Sequence, residues 1–130
     1  MTQRNDLSGA GGELGPALQC LQTPTQLGLT GTVPSAGNLI GTTLVSNGWK
    51  LFSVGLKSTQ AGQISIQRFL DLAGAVPQGA AVTATITANT AAYATVGTDG
   101  LPFASVQVTV SNTGGAAATL SNVQGLFQAS

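Results

Sequence analysis

Few residues in this sequence are able to do acid–base or nucleophilic chemistry. It contains no histidine, which removes at once the commonest general base, the usual catalytic triads and the commonest metal ligand. Its acids are Asp6, Glu13, Asp71 and Asp99. A paired-carboxylate mechanism needs two such groups about 5 to 10 Å apart in a cleft. Asp71 with Asp99 is the one plausible couple, and Asp99 precedes Gly100 in what reads as a tight turn. Calcium needs clustered carboxylates, and the sequence has no such cluster. Cys20 is the single cysteine, so no internal disulfide or CxxC zinc site can form, and it reads as a small apolar packing residue. The glycine-rich "GAGG" and "NTGG" lack the Lys-Ser/Thr that completes a phosphate loop. No catalytic residue, cofactor or metal is therefore expected.

Two aromatic residues could bind a sugar by stacking, Trp49 and Tyr93. Each stands alone in its stretch, however, and a lone aromatic beside a strand more often caps one end of a core, so both are expected to be buried. Arg68 has no basic neighbour in sequence and is expected to make a structural or intersubunit hydrogen bond in preference to binding an anion.

The elements that position these residues must come from a charge-poor chain. At 130 residues it has the size of one domain, with 42% hydrophobic residues and only 6% charged, against about a quarter in ordinary soluble proteins. Its surface must be made of Thr, Ser, Gln, Asn, Gly and Ala. Four basic and four acidic residues cancel, so the chain has no electrostatic footprint for nucleic acid or anionic lipid. Little repulsion separates copies of such a protein, which points to life in an assembly. The N-terminal "MTQRNDLSGAGG" lacks the apolar core of a secretory leader, and no apolar run approaches the ~20 residues that span a bilayer.

The pattern changes near Asn47. Residues 1–46 are punctuated by Pro16, Pro24, Pro34 and many glycines, which break helices and central strands. They are expected to form an extended arm with one or two short edge strands, or a turn or two of helix over residues 12–21. Residues 47–130 read as a β domain. After the Asn47-Gly48 turn, a strand over 49–57 turns Phe52, Val54 and Leu56 to one face. "QISIQRFLDL" turns Ile64 and Ile66 inward, and "AVTATITAN" alternates Val82, Ala84, Ile86 and Ala88 with Thr83, Thr85 and Thr87. Further strands are expected near Tyr93, through Val106, Val108 and Val110, and from Thr119 to Phe127. Six to eight short strands with turns between them predict an all-β fold, an antiparallel β-sandwich of the jelly-roll kind.

Two stretches carry a resemblance: "GWKLFSVGLKSTQAGQISIQRFLD", a Trp-led strand, a polar turn and an alternating strand, and "FASVQVTVSNTGGAAATLSNV", a strand, an Asn-Thr-Gly-Gly turn and a final strand. Together they make the span 48–127 resemble virion structural proteins of tailed bacteriophages, particularly capsid cement or decoration proteins. The resemblance implies a jelly-roll protein made in the host cytoplasm that sits on the capsid surface as a homo-oligomer, dimer or trimer, and ties neighbouring major capsid protein subunits together. Arm residues Leu7, Leu14, Leu18, Leu21, Leu27 and Leu29 are then expected to contact the capsid, with Thr83, Thr85, Thr87 and Arg68 as further surface contacts. The alternative is a carbohydrate- or receptor-binding module of a phage fibre or tail, which would expose Trp49 or Tyr93 in a concave site.

Overall fold

The structure, a computed structural model, describes residues 18–129. Ten strands and one helical turn follow one another as β1 (Gln19–Gln22), α1 (Pro24–Leu27), β2 (Thr32–Val33), β3 (Asn38–Ile40), β4 (Leu44–Val45), β5 (Leu51–Ser58), β6 (Gly62–Phe69), β7 (Val82–Ile86), β8 (Ala91–Val96), β9 (Ser105–Asn112) and β10 (Ala118–Gln128). They form two antiparallel sheets packed face to face. One is ordered β1-β10-β5-β8, with β2 also on β10; the other is β3-β9-β6-β7, with β4 also on β9. If β1 with β2 and β3 with β4 are each taken as one broken strand, the eight resulting strands run 1-8-3-6 in the first sheet and 2-7-4-5 in the second.

The core follows from alternation. Phe52, Val54 and Leu56 of β5, Ile64 and Ile66 of β6, and Val106, Val108 and Val110 of β9 are all buried between the sheets, each contributing about 1.5–3 kcal/mol by leaving water. Phe52 and Phe127 pack against each other with ring centroids 4.7 Å apart and planes tilted by 47°. On β10 the alternation is interrupted: the pairing steps from Ser121↔Lys57 to Gln124↔Gly55, with Asn122 at φ 53°. This bulge shifts the inward set from Ala118 and Leu120 to Val123, Gly125 and Phe127, so one long strand serves the core along its whole length.

Where an extended arm with one or two short edge strands was expected over residues 1–46, the described residues, 18–46, are built into the sandwich by short strands. They supply four strands, two to each sheet, all at one side of the sandwich. Residues 19–22 form a strand, where the end of a helix over 12–21 was the alternative. Helix α1 is built by local chemistry: Thr23 Oγ1 accepts from Gln26 N while Gln26 Oε1 accepts from Thr23 N, Pro24 opens the turn, and Gly28 closes it at φ 72°. The helix carries Leu27 into the core over Gly125, where a Cβ would stand 2.9 Å from a Leu27 methyl. Leu27 and Leu29, expected as partner contacts, are 0% and 1% exposed; they are core residues. Ala88, expected inward, lies in the exposed turn after β7.

Candidate functional site

One end of the sandwich opens into a cleft of about 670 Å³, formed by the chain entering β5, the segment 97–103 leaving β8, and Ala129 after β10. Its walls are mainly apolar, from Trp49, Leu51, Leu101, Pro102 and Phe103, with Lys50 and Thr98 as its polar side chains. Trp49 is half-buried and packs against the core, so it both caps the sandwich and faces the cleft. It is set there by the turn its sequence announces: Trp49 N donates to Ser46 O at 2.9 Å, across Asn47 and Gly48, both at positive φ.

The opposite wall is fixed by an ion pair. The alternation of β6 turns Arg68 inward behind Ile64 and Ile66, and it is 8% exposed. Its Nη1 and Nη2 donate to Asp99 Oδ1 and Oδ2 at 2.9 and 2.8 Å, a bidentate clamp joining the second sheet to the turn that leaves the first. Asp99 Oδ1 also accepts from Leu101 N at 3.1 Å. The Arg68 guanidinium, and after it the Leu101 N–H, hold the Asp99 carboxyl down at about 2. Arg68 thus makes the structural bond expected of it, and its expected role as a surface contact is corrected by its burial.

Asp71 is committed elsewhere. Its carboxylate accepts from Val76 N at 2.8 Å and from Ala75 N at 2.9 Å, bonds that lower its pKa. They tie a loop that folds back over Phe69 and Ser105, and Ser105 Oγ donates to Asp71 O at 2.7 Å. A carboxyl acting as a general acid near neutrality needs a raised pKa; Asp71 and Asp99 are both shifted the other way, each by its own donors. Cys20 packs half-buried against the core, accepting at Sγ from Gln22 Nε2 at 3.4 Å. Among the described residues, no three His, Cys, Asp or Glu gather as metal ligands, and no helix is long and apolar enough to cross a membrane.

The outer face of the second sheet is the other notable surface. Across its four strands run the rows Ile40–Thr109–Ser65–Thr83 and Asn38–Ser111–Gln63–Thr85, made of seven polar uncharged side chains and one isoleucine. Thr83 and Thr85 are exposed on it as expected, and Thr87 is exposed in the turn that follows. On the other sheet Tyr93 is 77% exposed, opposite Gly55, which corrects its expected burial. Leu18 and Leu21 are 64% and 63% exposed, whereas Leu7 and Leu14, like Asp6 and Glu13, lie outside the described residues.

Two features escaped the sequence reading. The capping box Thr23-Pro24-Thr25-Gln26 carries the signature Thr-x-x-Gln and was legible in principle. The cleft was not, because its walls come from three distant segments. No protein-family model, curated protein or solved structure matches the chain.

Proposed function

We propose that this protein is a non-catalytic capsid cement or decoration protein, which binds the outside of a tailed-phage head as a homo-oligomer and stabilises contacts between major capsid protein subunits. The observation that carries this reading is the uncharged outer face of the β3-β9-β6-β7 sheet, a surface of Thr, Ser, Gln and Asn hydroxyls and amides with one isoleucine, Ile40, at its edge. Such a face makes many polar contacts while burying no charge, so docking avoids the large desolvation penalty of ions. Repeated on a symmetric lattice, modest contacts sum to a firm hold, and binding that favours assembled shell over free subunits raises the free energy of disassembly. The strand order 1-8-3-6 and 2-7-4-5 supports the same reading, since we take it as jelly-roll wiring.

The test is cosedimentation with phage heads assembled without this protein, followed by heating. Wild-type protein is expected to bind the heads and raise their disruption temperature, and Thr109→Lys with Ser111→Lys, in the middle of the face, to weaken binding at least about tenfold. Equal binding by the double variant, or equal affinity for unassembled capsid subunits, overturns the proposal.

The Trp49 cleft favours a second reading, a carbohydrate- or receptor-binding module of a phage fibre or tail. An aromatic face in an open cleft stacks on a pyranose ring, and Lys50 and Thr98 offer polar partners. Trp49 fluorescence titrated with host-surface oligosaccharides decides it: a saturable change supports this reading, and an unchanged spectrum sinks it.

A further inference from the structure

The two sides of the sandwich treat their sheet edges differently. On one side the edge is broken into β1, β2, β3 and β4, none longer than four residues, with α1 and Pro34 between them. Short, interrupted edges resist pairing with another chain. On the other side the second sheet ends at β7, five consecutive residues, Val-Thr-Ala-Thr-Ile, with no proline, charge or bulge. Strand β7 bonds to β6 alone: among the described residues, no backbone hydrogen bond outside that ladder involves residues 82–86. Every second residue of such a strand aims its N–H and C=O away from the sheet.

The sequence of this edge also says what fits it. Val82-Thr83-Ala84-Thr85-Ile86 is nearly the same read in either direction. Paired antiparallel with another copy of itself about Ala84, it sets Thr83 against Thr85 and Val82 against Ile86 across the junction. Threonines then meet threonines on the outer face, and the apolar residues that line the core meet their own kind. No charge opposes another. We propose that β7 is a self-association edge, joining two copies of this chain about a two-fold axis into one continuous eight-stranded sheet. This names the surface for the self-association contained in the proposed function, and rests on that part of it. Edge pairing of five residues buries less than the ~1,200 Å² that marks the low end of stable interfaces, so the dimer depends on concentration.

Sedimentation velocity on the free protein over a wide concentration range tests this, using wild type, Thr83→Lys/Thr85→Lys and Thr83→Glu/Thr85→Glu. In the proposed register each double variant places like charges directly opposite one another, which destabilises cross-strand pairs. The wild type is expected to pass from monomer to dimer, and each variant alone to dissociate at least about tenfold more readily. An equimolar mixture of the two variants should regain the dimer through Lys–Glu pairs. Both substituted positions, Thr83 and Thr85, are exposed threonines, and an unchanged melting temperature in each variant confirms the fold. A wild type that stays monomeric, variants that dimerise as well as wild type, or a mixture that fails to recover overturns the proposal. Head binding is read separately, on particles and through Thr109 and Ser111, so loss of one leaves the other standing.

Discussion

The pair Arg68–Asp99 holds one wall of the cleft to the opposite sheet. Its acid carries a pH signature. Asp99 titrates near 2 when folded against an ordinary value of 3.8, so the unfolded chain takes up a proton first as pH falls. The stabilisation is therefore complete above about pH 4 and is lost as pH drops toward 2. Asp99→Asn should lower the melting temperature at neutral pH and flatten its decline between pH 4 and 2. Thermal melts at a series of pH values check both, and an acid limb as steep as in wild type would show that the carboxylate has no such part. Arg68 was half legible in the sequence. A cation at an inward position of the alternation Ile64, Ile66, Arg68 announces a buried partner. Which acid answers was not legible, since Asp99 lies in another sheet's turn and nothing local links the two.

The elements divide in the same way. Long central strands such as β5, β6 and β9 were legible because their own alternation pays for their burial. Of strands β1 to β4 only one or two short edge strands, without a place, were legible, since two to four residues among prolines and glycines carry no period of their own. Their β form is imposed by the neighbours β9 and β10, with which they pair. The leucines of this segment sort accordingly. Leu27→Ala should cost about 2–5 kcal/mol, as for other fully buried leucines. Leu21→Ser, on an exposed position, should stay within about 0.5 kcal/mol. Chemical denaturation of the two variants checks the contrast. Equal effects would mean that Leu27 is not part of the core.

At the scale of the whole molecule, the proposed function makes the absence of charge from the outer face of the β3-β9-β6-β7 sheet a statement about how head binding responds to salt. Attraction between ions is screened over about 8–10 Å at physiological ionic strength, whereas contacts of hydroxyls and amides are not. Cosedimentation with heads should therefore change little between low and high salt, and a steep decline would place the contact on charged groups elsewhere. The pairing scheme also dictates an order of events in time. Strands β9 and β10 sit inside their sheets, between the early strands and the middle ones, yet they come last in the chain. At about 5–20 residues per second on the ribosome, β1 to β4 wait several seconds with no strand to pair with. The first residues of the sandwich to be made are thus among the last to find their places.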